Sequence, residues 1–242
     1  TIPAFSMGQY GVYGESAIVP AYAATPYPEN LSAAEGTAIW MQYLTAYGAL
    51  VDLGRVKKDD IVLITAASSS VGLASIQITK SAGALAIATT RGTDKEKFLF
   101  DAGADHVIIT NEENLSERVL AITSGEGAGI IFDPVAGPLL EKLADAAASG
   151  AMIIEYGALS PAPTTFPLLP ALAKGLTVRG YTLFEIVGDA EKFAKGKQYV
   201  YDGLQSGKLK PIIDRTFTLD DIAEAHKYME SNQQKGKIVV TV

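Results

Sequence analysis

From Ile61 onward, short apolar runs rich in β-branched residues alternate with helical stretches, and that alternation constrains the chain more than any other feature. The first run, Ile61-Val62-Leu63-Ile64-Thr65, has no polar face, as expected of a strand covered on both sides. A small-residue turn at 67–70, a helix over 71–81 and a second strand over 85–89 follow. The same rhythm predicts helices over 95–102, 115–123 and 138–148. Further strands are predicted over 107–109, 129–133 and 151–155 and, after a Pro-rich loop, over 176–181. Strands separated by helices pair in parallel, because a crossover must return the chain to the same edge and its helix covers the sheet. The predicted fold is α/β, a doubly wound parallel Rossmann sheet.

The flanks read differently. Ser32 with Glu35 three residues on forms a capping box, in which each side chain satisfies a free backbone donor, and a long helix to about Leu53 is predicted. The thirty residues before it are rich in Gly, Pro and Tyr and lack helical periodicity. Beyond Tyr181 the pattern predicts a helix over 190–206, a strand over 212–217, a helix over 219–230 and a strand over 238–242, with no obvious further βαβ unit.

Charge and composition narrow the partners. A net charge of -7 disfavours nonspecific nucleic-acid binding, which depends on Lys and Arg neutralising phosphates. With no cysteine there is no disulfide, thiolate nucleophile or cysteine-held zinc, and His106 and His226 are the only imidazoles. No apolar run reaches the roughly 18 residues of a membrane span, and no targeting segment is visible, so a cytoplasmic protein acting on a small molecule is expected.

The first strand ends in Ala67-Ser68-Ser69-Ser70-Val71-Gly72, where a dinucleotide fold brings backbone amides to a pyrophosphate at the next helix's N-terminus. Of the G-x-G-x-x-G pattern only Gly72 survives, so the turn also fits a plain helix cap. Some twenty residues on, where NAD-binding proteins place an acid on the ribose, stand Thr89-Thr90-Arg91, with Lys95 shortly after. An acid would repel a 2′-phosphate, whereas Arg91 and Lys95 attract it, which favours NADPH over NADH and argues against a methyl-donor site. Taken singly, either cation could be a solvated surface charge.

The segment 61–83, GADHVI at 103–108, FDPVAG at 132–137, YGALS at 156–160, LTAY at 44–47 and the ending SNQQKGKIVV at 231–240 together resemble the medium-chain dehydrogenase/reductase superfamily, in its zinc-free NADPH-dependent quinone oxidoreductase branch. The resemblance implies three parts: a remnant of a GroES-like β-rich catalytic domain at 1–44, in which 8–21 resembles closing barrel strands; a Rossmann domain at 45–183; and a segment at 184–242 returning to the catalytic domain. It further implies that this chain, as a fragment or a naturally short member, lacks part of the substrate pocket's wall.

By the same resemblance Thr45 sits beside the nicotinamide, or is a helix hydroxyl bonded to its own backbone. Ser69, Ser70 and Val71 form the pyrophosphate turn. Thr90, Arg91 and Lys95 hold the adenosine phosphate, and Thr110 stands where relatives often have a Tyr near the adenosine. Val135 and Tyr156, Gly157, Ala158 and Leu159 line the nicotinamide ribose and carboxamide, although Val135 and Leu159 would serve equally as packing. Phe184 and Asn232 close over the cofactor, with Asn232 equally readable as a helix C-cap. The implied reaction is hydride transfer from NADPH to a quinone or activated enone. Tyr13, Tyr47 and Tyr156 are the nearby hydroxyls and no catalytic acid is assigned. The implied assembly is a homodimer through the strand at 176–181.

Overall fold

The computed structural model describes residues 1–6 and 8–242. Its centre is a six-stranded, all-parallel sheet in the order β3-β2-β1-β4-β5-β6. The strands are β1 (Ile61–Ile64), β2 (Leu85–Thr90), β3 (His106–Ile109), β4 (Ala128–Asp133), β5 (Ala147–Glu155) and β6 (Thr177–Gly180). The order reverses between β1 and β4, which are directly paired at Val62 with Ile130 and Ile64 with Phe132. A crevice opens there at the carboxyl ends of the strands.

Alternation along each strand divides the core into two layers. Val62, Ile64, Phe132 and Ile154 face one, and Leu63, Ile87, Ile131 and Ile153 face the other. The first layer is covered by α2 (Trp40–Tyr47), α3 (Ser70–Ser81) and α9 (Ala190–Gln205), and the second by α5 (Leu115–Ile122) and α6 (Leu139–Ala146). The short α4 (Glu96–Asp101) joins β2 to β3.

Several predicted elements differ in extent. The capping box at Ser32 forms as expected, but the helix it opens, α1 (Ala33–Thr37), stops after five residues. Thr37 turns its hydroxyl back onto the Ala34 carbonyl at 2.8 Å, and Gly36 packs against the Tyr27 ring too closely for any side chain. The chain restarts as α2 and ends in a π-helical turn, Gly48–Leu53. The stretch predicted as a Pro-rich loop contains α7 (Leu168–Lys174), whose Pro167 and Pro170 fall at its N-cap and first turn, where a missing N–H costs nothing. Strand β5 begins four residues earlier than predicted, because α6 ends at Ala146.

The last sixty residues contain α8 (Phe184–Val187), α9, β7 (Ile213–Thr218), α10 (Ile222–Glu230) and β8 (Lys237–Thr241). Strands β7 and β8 pair in parallel across α10, so a βαβ unit is present where none was expected. Ahead of α1 the expected closing strands over 8–21 are not formed; among the described residues no strand precedes Ile61. Strands form only against a pairing partner. Here the segment is pinned chiefly by Ile2, which is fully buried and donates its N–H to the Ala23 carbonyl at 2.8 Å.

Candidate functional site

The turn between β1 and α3 carries the first part of the site. Ser69 is the N-cap of α3 and accepts the Gly72 N–H at 3.1 Å, leaving the amides of the first turn directed into the crevice. A methyl group at Gly72 would lie 2.6 Å from the Cα and carbonyl oxygen of Ala67, so only glycine lets α3 approach the end of β1 this closely. Gly72 thus keeps the packing role of a dinucleotide turn although the other two glycine places hold Ala67 and Ser69.

The two cations beyond β2 behave unlike each other. Lys95 is buried and its ammonium donates to Ser68 Oγ at 3.2 Å, Asn232 O at 2.7 Å and Gln234 O at 3.0 Å. Burial lowers its pKa, with smaller contributions from Asp94, which opposes the shift, and from Arg91 and Lys235, which reinforce it. Arg91 is exposed, and among the described residues neither cation has a carboxylate within salt-bridge distance. Lys235 reaches the same loop by donating to the Asp94 carbonyl at 2.8 Å. Arg91, Lys95 and Lys235 therefore crowd one corner without a salt bridge among the described residues, Asp94 and Asp214 acting on Lys95 only at longer range, an arrangement suited to a phosphate.

Three lysine and backbone contacts tie the C-terminal segment to this corner, and they involve residues that sequence reasoning missed. Gly236 bridges to Ser69 in parallel fashion, bringing β8 beside the Ser-rich turn. A cavity of about 310 Å³ opens between them, lined by Ser69, Ser70, Gln234, Lys237, His226 and Tyr13 among others. Lys237 is half-buried there, and desolvation lowers its pKa. Gln234 and Lys237 carried no local signal, because their roles arise from contacts between segments more than a hundred residues apart, and Ser68, though part of the Ser-rich turn, gains its role from Lys95, 27 residues on.

Other predicted residues are placed as follows. Asn232 takes a left-handed conformation (φ 57°) just beyond α10, so the C-cap alternative holds, while its carbonyl also receives Lys95. Thr45 donates its hydroxyl back to the Met41 carbonyl at 2.5 Å, the local alternative for that residue. Thr90 is buried, and Thr110 donates both its N–H and its hydroxyl to the Thr90 carbonyl, at 2.9 and 3.3 Å. Val71 is partly buried against the first core layer. Phe184 on α8 and Leu159 are exposed, 52% and 70%, too open to be core packing.

The loops after β4 and β5 are zipped together. Leu159 N–H donates to Pro134 O at 3.0 Å, Ser160 N–H to Val135 O at 2.9 Å, and Gly137 N–H to Thr164 Oγ1 at 2.9 Å. Gly157 lies against Pro134, where a methyl would come within 2.9 Å of its carbonyl oxygen, and Ala158 is exposed at the rim. Tyr156 stacks on Phe132 with ring centroids 3.9 Å apart, and burial raises its pKa, with the Asp133 charge adding and the Ser69 hydroxyl opposing. Tyr47 also has a raised pKa, first from burial and then from Asp52, and packs on Tyr199. Tyr13 is exposed beside His226.

Among the described residues no three His, Asp or Glu side chains come together as a metal site would need, and the two histidines lie on β3 and α10. No helix is long and apolar enough to cross a membrane.

The profile of a family described as zinc-binding dehydrogenase matches residues 102–240, more than half the chain. Human quinone oxidoreductase is 31% identical over 234 residues, covering 95% of this chain and 69% of that protein. A structure titled NAD-dependent alcohol dehydrogenase superposes with a TM-score of 0.87 at 32% identity, over 96% of this chain and 65% of that one. Escherichia coli quinone oxidoreductase complexed with NADPH superposes with a TM-score of 0.87 at 27% identity, over 95% and 72%. Of the much longer mycobacterial polyketide synthase subunits that also match, this chain spans 11%. With its parallel sheet, Gly72 turn and this breadth of likeness, the chain belongs to the zinc-binding dehydrogenase family, in the quinone oxidoreductase branch of the medium-chain dehydrogenase/reductase superfamily.

Proposed function

We propose that the chain binds NADPH across the carboxyl ends of β1 and β4 and serves zinc-independent reduction of a quinone or an activated enone or carbonyl compound. The observation that carries this reading is the cluster of Arg91, Lys95 and Lys235 beside Ser68, three cations none of which forms a salt bridge among the described residues. Arg91 reaches a 2′-phosphate with a planar fork, while Lys95 holds the loop of 232–234 in place and contributes charge. Ser69, Ser70 and the amides of the first turn of α3 receive the pyrophosphate, with Lys237 facing it from the cavity on the other side. Gly157 and Ala158 present backbone at the nicotinamide end, with Val135 below and Leu159 and Phe184 closing over it. Thr45 and Thr110 are assigned supporting contacts, and Thr90 shapes the loop that carries Arg91.

NADPH, when bound, supplies the hydride; the chain orients it and shields it from water. Titles of related structures name both NADPH and NAD, so the cation cluster decides between them. Residues 1–44 are read as part of a GroES-like domain, 45–183 as the coenzyme domain and 184–242 as the segment returning to the catalytic domain; a homodimer would pair the free edge of β6.

A second reading, coenzyme binding without turnover, is favoured by one feature. Residues 8–31 form no sheet and leave Val12, Tyr13, Ile18 and Tyr22 exposed, so the wall that would enclose a substrate is not closed among the described residues. Following NADPH oxidation spectrophotometrically with a simple benzoquinone and with an α,β-unsaturated ketone separates the two. Turnover with either acceptor supports the reductase; tight NADPH binding with no turnover supports the binding module.

A further inference from the structure

We propose that Asp133 and Glu155 share one proton, and that this proton bolts the loops 134–137 and 156–160 together at the rim of the crevice. The inference concerns two acids at the ends of β4 and β5 and does not depend on the coenzyme. Asp133 and Glu155 are register partners in adjacent parallel strands, so their side chains leave the same face of the sheet. Asp133 is fully buried. Its Oδ1 accepts the Thr65 hydroxyl and its Oδ2 accepts the Ala136 N–H at 2.6 Å. Glu155 has no such help: both of its carboxyl oxygens are shut off from solvent and receive no donor from the described residues.

Two adjacent buried carboxylates cannot both stay charged, and the one without donors takes the proton. A protonated Glu155 has an O–H to give and Asp133 has lone pairs left to receive it. Burial, then the charge of Asp133 and the hydrogen bond to it, push the Glu155 pKa up to about 9. Among the described residues no cation is placed to reverse this. Arg179 of β6 is the register partner of Ile154, hence on the opposite face, and pairs with Glu185 at 2.7 Å. Lys174 of α7 binds the carbonyls of Ala144, Asp145 and Ala147 at the other end of β5. Glu141, Lys142 and Asp145 of α6 are exposed.

The consequence lies in the zipped loops above. The backbone of Asp133 receives the Tyr156 N–H at 2.9 Å, and its side chain holds Ala136, which adopts a left-handed conformation (φ 57°) at the bend of the β4 loop. Loss of the shared proton sets two negative charges against each other beneath both loops, and these must part or admit water.

Infrared spectroscopy of the whole chain tests this. At neutral pH the wild type should show the C=O stretch of a protonated carboxylic acid that Glu155→Gln lacks. Glutamine keeps a neutral donor toward Asp133 at every pH, whereas Glu155 is ionised in the unfolded chain above about 4.5 and remains protonated in the folded chain to about 9. The wild type therefore loses stability relative to the variant as pH rises through that window, and the melting temperature of Glu155→Gln should exceed the wild type's by a margin that widens with pH and then levels off. Should the glutamine variant not fold, Asp133→Asn serves: burial still favours the protonated Glu155, but with the neighbouring charge gone the same band should disappear at a lower pH than in the wild type, and an unchanged pH midpoint would show that the two acids do not share the proton. A wild type with no protonated carboxyl band at neutral pH, or melting curves that keep a constant separation across the window, overturns the proposal.

Discussion

At the residue scale the site separates charges that hold the fold from charges that await a ligand. Lys95 belongs to both groups, because its three acceptors join the β2 loop to the β1–α3 turn and to the C-terminal segment. Lys95→Met should cost about 1–3 kcal/mol in chemical denaturation, since part-buried oxygens of Ser68, Asn232 and Gln234 lose their donor, and should also weaken NADPH binding. Arg91 is exposed, so Arg91→Gln should leave stability within about 0.5 kcal/mol. The same change should weaken NADPH about tenfold or more in calorimetric titration, leaving NADH unchanged. Equal losses for both coenzymes would place Arg91 away from the 2′-phosphate. Lys237 makes the opposite prediction for stability: it is a half-buried cation whose charge is disfavoured by desolvation and which forms no salt bridge among the described residues, so Lys237→Met should raise or preserve the melting temperature while lowering coenzyme affinity. Gly72→Ala should be costly on packing alone, by about 1–3 kcal/mol, because the clash is with backbone and not with a movable side chain.

At the element scale the sheet has a protected centre and one informative edge. Strands β1 and β4 are flanked on both sides, whereas β6 pairs only with β5 and its residues are exposed or half-buried. Hydrogen exchange should therefore be slowest in β1 and β4. Every amide of 177–180 should match β5 in protection if two copies join at this edge, and alternate amides should exchange fast if they do not. The β/α order of this region was legible in the sequence because each strand is a short apolar run bounded by turn residues. Strand β7, IDRTFT, was harder: it is half exposed and has no apolar face to advertise its pairing with β8 across α10. The early stop of α1 likewise came from a tertiary contact between Gly36 and Tyr27 that no helix signal encodes. Within the site, the Ser-rich turn and the cations past β2 were readable from spacing. Gln234 and Lys237 were not, since only the folded chain brings 234–237 beside the turn, and Thr45 proved to satisfy its hydroxyl locally.

At the scale of the whole molecule, the crevice is assembled from three stretches distant in sequence: the β1–α3 turn, the β2 loop and the C-terminal segment. Anything bridging them stabilises all three, so a bound coenzyme should act as a staple for the entire fold. The central claim is that the coenzyme is NADPH, selected through its 2′-phosphate by Arg91 and Lys95. Thermal unfolding of the chain with NADPH and with NADH, each at matched excess, tests it most directly. At a concentration about 100 times its dissociation constant NADPH should add about 2.7 kcal/mol of stability, with NADH at that concentration adding clearly less. Equal shifts from the two coenzymes, or no shift from NADPH at any concentration, would contradict the account.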